Sequence, residues 1–136
     1  MTTDRPPIDV RLRGDDTEGR LAVIETEVPA GFPGPPLHVH SAFDEGFYVL
    51  EGELTYQLRD ELIVAGAGSF AFAPGGVPHT FANLSSEPAR HLILCSPAGF
   101  ERYFMRMAAE RAGVPPPPEA EGPLPEVQRV GPRIQG

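Results

Sequence analysis

The feature that most constrains this chain is a pair of histidines two residues apart, followed five residues later by a carboxylate. His38, His40 and Glu45 lie in the stretch HVHSAFDEGFYVLEG at residues 38–52. In an extended strand successive side chains alternate between the two faces, so His38 and His40 point the same way. A third histidine, His79, lies in a second stretch at residues 68–83, which reads GSFAFAPGGVPHTFAN. These two stretches therefore contain three of the four histidines of the chain.

Three imidazoles and one carboxylate that converge are a suitable set of ligands for a divalent metal ion. We therefore predict that His38, His40, Glu45 and His79 bind one such ion. The alternative is a polar pocket in which the same four residues only hydrogen-bond to one another. A mixed nitrogen and oxygen shell suits Fe(II), Mn(II), Ni(II), Co(II) or Zn(II), so the identity of the metal is left open.

The two stretches resemble the two sequence motifs of the cupin family. His38, His40, Glu45 and Gly52 fit the first motif, although Phe32 stands where that motif has its leading glycine. The second motif is matched throughout, at Gly68, Pro74, Gly76, His79 and Asn83. Residues 53–67 separate the two motifs, and this spacer of 15 residues resembles that of small bacterial cupins.

The resemblance implies an all-β fold, an antiparallel double-stranded β-helix (the jelly-roll or cupin barrel), here of six to eight strands with a C-terminal helix. The composition agrees, because 15 glycines and 17 prolines in 136 residues favour short strands and turns over a helical bundle. Cupin barrels of this size commonly pair through sheet faces or edges, so the resemblance also implies a homodimer.

The chain divides into four predicted segments. Residues 1–19 form an N-terminal arm or edge strand, in which Ile8, Val10 and Leu12 alternate with charged residues. Residues 20–95 form the barrel, with strands predicted at 21–28, 46–50, 54–58, 62–65, 70–73, 79–83 and 90–95. Residues 96–113 form the helix and residues 114–136 a proline-rich tail.

Capping residues and an apolar stripe define the predicted helix. Ser96 and Pro97 are suited to open it, and Gly113 is suited to end it. We expect its stripe to pack against the outside of the barrel; the stripe consists of Phe100, Tyr103, Phe104, Met107 and Ala108. We expect the tail to be ordered on the barrel or on a partner subunit through Leu124, Val127, Val130 and Ile134.

Charge and cysteine content exclude several classes of partner. The formal net charge of −8 and the absence of a basic cluster argue against nucleic acid and anionic membranes. The single cysteine, Cys95, lies in an apolar run, which favours a buried core residue in a reducing compartment. The N-terminal sequence lacks an apolar signal core, and no run approaches the roughly twenty apolar residues of a membrane span. We therefore expect a cytoplasmic protein.

Other residues near the two motifs have less specific roles. Phe47 and Phe81 share strand faces with Glu45 and His79, so we place them in the substrate pocket. Asp44 precedes Glu45 and points to the opposite face, which indicates a surface charge. His91 begins an apolar strand, and its spacing does not relate it to the candidate metal ligands. We therefore expect a structural or surface histidine.

Small cupins with this ligand set resemble the quercetinase-type dioxygenases. The resemblance implies an oxygenase that acts on a flavonol-, catechol- or β-dicarbonyl-like molecule. In this interpretation His38, His40 and His79 bind the metal, and Glu45 is both a ligand and the catalytic base for a substrate hydroxyl. The alternative is a non-catalytic protein that binds or senses a small molecule through the metal, so whether the protein is an enzyme stays open.

Overall fold

The computed structural model describes residues 5–134, which form ten β-strands and one α-helix. The strands are Ile8–Leu12 (β1), Ala22–Val28 (β2), His38–Val39 (β3), Asp44–Glu51 (β4), Glu53–Leu58 (β5), Glu61–Gly66 (β6), Phe70–Ala73 (β7), His79–Ala82 (β8), Ala89–Ser96 (β9) and Gln128–Arg129 (β10), and the helix is Glu101–Ala112 (α1). They form two five-stranded sheets, in the orders β1-β2-β9-β4-β7 and β10-β3-β8-β5-β6. All strand pairs are antiparallel, so the predicted all-β cupin fold with a C-terminal helix is confirmed.

Side chains from both sheets meet in one hydrophobic core. Phe47 and Val49 of β4 belong to the same buried cluster as Leu54 and Tyr56 of β5. Tyr48, between two of these buried residues, is 37% exposed. The alternation along β4 therefore directs every second side chain into the barrel, as the period of an extended strand requires.

Ten strands exceed the six to eight that the sequence predicts. The shortest strands, β3 and β10, contain two residues each and pair with one another. Extended backbone at His38 was expected from the alternation of His38 and His40, whereas β10 lies within the predicted tail, where two residues are too few for an alternating pattern to be visible. The segment Ile8–Leu12 is an edge strand, as expected.

The loop before β3 packs against β8 and delivers His38 to the barrel. Gly34 has a φ of +79°, and a Cβ atom there would lie 1.7 Å from the carbonyl oxygen of Phe81. Only glycine tolerates this conformation and this approach. The Thr80 hydroxyl also donates to the carbonyl oxygen of Pro35, at 2.6 Å. The first motif has its leading glycine at the position of Phe32. In this chain the turn depends instead on Gly34, two residues later.

The α-helix begins later than predicted. Ser96 is the last residue of β9, and its hydroxyl donates to the carbonyl oxygen of Arg20 at 2.8 Å, so it does not cap the helix. Phe100 occupies the N-cap position instead. The end is as predicted, because Gly113 has a φ of +70°, in the left-handed region that favours glycine.

The helix packs against the barrel core through a face that differs partly from the predicted stripe. Four of the five stripe residues are partly buried against the core, as predicted: Phe100, Phe104, Met107 and Ala108. Tyr103 is instead 40% exposed, and the most buried residues of the helix lie outside the stripe: Glu101, Met105 and Ala109. A charged residue occupies the buried face because the Glu101 carboxylate accepts backbone N–H groups from Gly14 and Gly99, and hydrophobicity alone cannot predict such a placement.

The proline-rich tail lies on the barrel of its own chain. Arg106 of α1 donates to the carbonyl oxygen of Ala120 at 2.9 Å, and Arg133 donates to that of Gly34 at 2.9 Å. Ile134 is buried, but the other three apolar residues expected to anchor the tail are 38–47% exposed; these are Leu124, Val127 and Val130. Strand pairing and arginine-to-carbonyl hydrogen bonds therefore hold the tail more than an apolar stripe does.

Cys95 is a free and fully buried thiol, so the prediction of a core cysteine is confirmed. Burial, together with the charges of Glu45 and Glu101, raises the pKa of Cys95 and keeps the thiol protonated. Among residues 5–134, none of the helical structure is long and apolar enough to cross a bilayer.

A buried ion pair joins β2 to β9 on the face that points away from the barrel interior. The Arg90 side chain is 2% exposed and donates to Glu25 at 2.6 Å and to Glu27 at 3.2 Å. Arg11 donates to the other oxygen of the Glu25 carboxylate, at 2.8 Å. Burial raises the pKa of Glu25, but the hydrogen bond and charge of Arg90 outweigh it and hold the pKa below its usual value.

We predict that Arg90→Met lowers the free energy of unfolding by about 3 kcal/mol, because it leaves the buried Glu25 charge only partly compensated. The matched control is Arg13→Met, which removes a 42% exposed arginine from its surface ion pairs with Asp16 and Glu119. The control should lose less than about 1 kcal/mol. Urea unfolding of both variants checks this, and equal losses would contradict it.

Candidate metal centre

Three histidine side chains converge at one end of the barrel. His38 in β3 and His79 in β8 lie opposite each other in the second sheet, and His40 follows two residues after His38. One ring nitrogen from each histidine lies within 4.8 Å of the other two. His40 and His79 are buried, whereas His38 is half-buried. One ion can therefore contact all three rings, and His38 faces the more accessible side.

The backbone determines which nitrogen of each ring is available. In every ring Nδ1 lies beside a main-chain carbonyl oxygen: His38 with Pro36 at 2.8 Å, His40 with Phe43 at 3.2 Å, and His79 with Val77 at 2.9 Å. A carbonyl oxygen only accepts, so each Nδ1 carries a hydrogen and donates it. The neutral rings therefore present the Nε2 lone pair, the arrangement in which backbone carbonyls orient histidine ligands.

Glu45, the second residue of β4, brings a carboxylate from the first sheet to the same point. Its Oε1 lies 2.8 Å from Nε2 of His40 and 3.0 Å from Nε2 of His79. The Glu45 residue is 5% exposed. The candidate centre thus combines side chains from both sheets.

These contacts require a positive charge between the carboxylate and the rings. With hydrogen on Nδ1, a neutral ring and an ionised carboxylate would place two lone pairs against each other at 2.8–3.0 Å. A proton on Nε2 removes this conflict, and so does a metal ion shared by nitrogen and oxygen. The residues therefore fit a divalent ion, which would also compensate a buried negative charge.

The pKa values of these groups follow from the same contacts. Burial raises the pKa of Glu45, but hydrogen bonds and charge from His40 and His79 outweigh it and lower the pKa to about 2. Burial lowers the pKa of His79, but the Glu45 carboxylate outweighs burial and raises it above 6.5. Burial lowers the pKa of His38. In the metal-free protein a proton on His79 thus occupies the place that fits a metal ion.

The turn before His79 is attached to the first motif. Asp44 is exposed, as predicted for a surface charge, and its Oδ1 accepts the backbone N–H of Gly75 at 2.7 Å. The backbone N–H of Gly76 donates to the carbonyl oxygen of His40 at 2.9 Å. Asp44 therefore helps to position His79, a role that its alternation in the sequence did not reveal.

Phe43 supports the site and was missed by the sequence analysis. Its ring is stacked on the His40 imidazole with a centroid distance of 3.8 Å and an interplanar angle of 7°. The ring of Phe100, the N-cap residue of α1, stacks on that of Phe43 with a centroid distance of 5.2 Å. The stretch between His40 and Glu45 gives no periodic signal for this contact, because it is a loop.

Phe47 and Phe81 both lie inside the barrel. The Phe47 ring is 6.2 Å from the rings of His79 and Phe81, measured between centroids. Phe81 is half-buried, and its ring contacts both the interior Tyr56 and the exposed Phe32 of the loop before β3. Their position agrees with the predicted pocket, and their contact with a substrate stays a prediction.

His91 is a structural histidine in the barrel interior and is not part of the metal cluster. It is fully buried, and its Nδ1 lies 2.7 Å from the hydroxyl oxygen of Tyr56. Burial lowers the pKa of His91 to about 4, so the ring is neutral at neutral pH. The sequence left a structural and a surface position both open for His91, and nothing in it indicated the partner.

Comparisons with known proteins relate the chain to proteins whose names describe different activities. Over 46 residues it is 41% identical to quercetin 2,3-dioxygenase of Bacillus subtilis, a match that covers 34% of this chain and only 14% of that enzyme. A Thermus thermophilus protein of known structure is 33% identical, with a TM-score of 0.54 over 58% of this chain and 74% of its own. The polyketide cyclase RemF of Streptomyces resistomycificus is 26% identical, with a TM-score of 0.57 over 69% and 70% of the two chains.

The family model described as the cupin domain matches residues 24–95, more than half of the chain, and it includes both sequence motifs and all three converging histidines. With the two-sheet antiparallel barrel, this match shows that the chain belongs to the cupin family.

Proposed function

We propose that this protein is a metal-dependent oxygenase that acts on a flavonol-, catechol- or β-dicarbonyl-like small molecule. The observation that carries the proposal is the set of three Nε2 lone pairs, each oriented by a carbonyl oxygen at Nδ1, beside the buried Glu45 carboxylate. His38, His40, His79 and Glu45 would hold the ion.

A bound divalent ion supplies Lewis acidity to a keto or enol oxygen and a template for a second reactant. Side chains of this protein would accept the proton and enclose the substrate. Glu45, whose pKa is lowered by the neighbouring His40 and His79 rings so that it is ionised, would accept the proton of a substrate hydroxyl. Phe47 and Phe81 provide aromatic surface beside the site, which favours planar substrates and excludes water. The half-buried His38 lies at the side from which a ligand enters.

Two relatives bear on this proposal in different ways. The quercetin dioxygenase favours an oxygenase with a planar, oxygen-rich substrate, although the match spans a small part of that enzyme. The name of the polyketide cyclase describes ring closure, so similarity within this family does not determine the reaction. The competing function is metal-dependent binding of a similar molecule without turnover. The homodimer and the cytoplasmic location stay predictions.

We predict that His79→Ala weakens zinc binding by more than about 100-fold, because loss of a residue that merely supports a ligand already costs about 10–100-fold. The matched control is His91→Ala, an identical change at another buried histidine of the barrel. Elemental analysis after dialysis should find zinc in the control and the wild type but not in His79→Ala. Full occupancy of His79→Ala would contradict the ligand assignment.

We predict that metal affinity falls as the pH is lowered, beginning above pH 6.5. The Glu45 carboxylate raises the pKa of His79, so protons already compete with the metal above that value. In the metal-free protein the His79–Glu45 contact stabilises most below pH 6.5 and is lost as pH rises through the raised pKa. Stabilisation by a bound metal depends on pH in the opposite way, because it increases as the pH rises.

Zinc titrations and thermal unfolding between pH 5.5 and 8 measure both trends. The apparent affinity should change by about tenfold per pH unit for each proton released. An affinity that is constant over this interval would show that no proton leaves the histidines when the metal binds.

We predict that the metal-loaded protein consumes oxygen in the presence of quercetin, catechol or acetylacetone, as measured with an oxygen electrode. Glu45→Gln, assayed with saturating metal, should reduce kcat by about 10²–10⁴, the usual contribution of a general base. The control is Glu61→Gln, the same change at an exposed position of β6. Saturable binding of these compounds without oxygen consumption would instead favour the binding protein.

A further inference from the structure

The buried side chain of His91 has one nitrogen without a partner. Among residues 5–134, Nε2 of His91 is the buried side-chain nitrogen or oxygen that makes no hydrogen bond. His91 is fully buried, and leaving such a group unsatisfied typically costs about 1–3 kcal/mol. A hydrogen-bond partner for Nε2 of His91 would therefore have to come from outside residues 5–134.

The contact with Tyr56 determines whether this nitrogen donates or accepts. Burial and the Glu45 charge raise the pKa of Tyr56, and His91 is neutral, so the pair holds one O–H and one ring N–H. If Tyr56 donates to Nδ1, at 2.7 Å, its hydroxyl hydrogen and the ring lone pair are both satisfied. If Nδ1 donated instead, the hydroxyl hydrogen would lack an acceptor in this buried position. In the first arrangement the ring hydrogen is on Nε2, so the unpaired Nε2 of His91 is a hydrogen-bond donor.

Aromatic rings surround His91. The ring centroids of Phe81, Phe47 and Tyr56 lie 5.0, 5.7 and 6.0 Å from that of His91. A buried water molecule is usually held by two to four polar groups. The faces of these rings offer none, and the Tyr56 hydroxyl is already engaged. A water molecule would therefore be poorly held at Nε2, whereas the oxygen of a planar ligand would be packed by the rings.

His91 and the metal centre lie at two ends of the same interior surface. In the pairing of β4 with β9, Glu45 is opposite Cys95 and Val49 is opposite His91, an offset of four residues or about 13 Å along the strand. Phe47 lies between them, because its ring is 6.2 Å from His79 and 5.7 Å from His91. The half-buried Phe81 ring lies 5.0 Å from that of His91, measured between centroids.

We propose that Nε2–H of His91 is a second anchor for the ligand at the metal centre, where it donates a hydrogen bond to a ligand oxygen remote from the metal. The inference rests on the proposed function and narrows its substrate class. The ligand is a planar ring system with oxygens at opposite ends, lying against Phe47 and Phe81. Because His91 is neutral and enclosed by rings, the remote oxygen belongs to a carbonyl or hydroxyl group, since a carboxylate would lose its hydration without a compensating charge.

Nitrogen-15 NMR of the four histidine side chains tests the donor directly. In zinc-loaded wild type we expect hydrogen on Nδ1 in His38, His40 and His79 and on Nε2 in His91. Adding quercetin, with zinc as an ion that performs no redox chemistry, should shift the Nε2–H signal of His91. Hydrogen on Nδ1 of His91 would overturn the inference, and so would an Nε2–H signal that quercetin leaves unchanged.

Variants test the energetic consequence. His91→Phe keeps a ring but removes both nitrogens, and it should weaken quercetin binding to zinc-loaded protein by about tenfold, the value of one buried hydrogen bond. Tyr56→Phe keeps the imidazole of His91 but removes the hydroxyl that holds its hydrogen on Nε2. This variant should weaken quercetin binding by less than His91→Phe does. The control, Tyr48→Phe, removes a hydroxyl from an exposed tyrosine of β4 and should have no effect.

Zinc content distinguishes failure of the inference from failure of the proposed function. All three variants should retain zinc, because none of the substituted residues belongs to the histidine cluster. Equal quercetin affinity of wild type and His91→Phe, with zinc bound in both, would overturn the inference alone. Zinc-loaded wild type that binds catechol or acetylacetone but not quercetin would also overturn the inference alone. Zinc-loaded wild type that binds none of the three compounds would contradict the proposed function and the inference with it.

Discussion

The buried carboxylate of Glu45 is the group on which the interior of this barrel depends. Its nearest polar neighbours are two imidazole nitrogens, and the opposite nitrogens of those rings already donate to backbone carbonyls. A positive charge must therefore lie between carboxylate and rings, as protons in the metal-free protein or as a divalent ion. This requirement joins the two sheets, because Glu45 belongs to one sheet and His79 to the other.

The rest of the fold holds these groups in position. Gly34 lets the loop before β3 approach β8, so that His38 pairs with His79. Asp44 attaches the turn before His79 to the strand that carries Glu45. The chain therefore uses polar and backbone contacts, in addition to its apolar core, to orient the side chains that can bind a metal.

Sequence reasoning predicted the features that depend on short periodic patterns. Alternation along β4 placed Glu45 and Phe47 inside, and the motif spacing identified His38, His40 and His79 as a group. It could not predict contacts that depend on the conformation of a loop, such as the stacking of Phe43 on His40.

Other features were missed because they depend on residues distant in sequence. The helix begins at Glu101 because Ser96 completes β9, a choice that depends on pairing with β2 and β4 and that no capping rule contains. The partner of His91 is Tyr56, 35 residues away in sequence, so only the packed barrel reveals it.

The most direct test of the central claim is X-ray absorption spectroscopy of the zinc-loaded protein at the zinc edge. We predict three imidazole ligands with zinc–nitrogen distances of about 2.0–2.1 Å, together with oxygen ligation that decreases by one carboxylate in Glu45→Gln. Fewer than three imidazoles, or a first shell that is unchanged in Glu45→Gln, would contradict the proposal that this carboxylate and the three histidines share one ion.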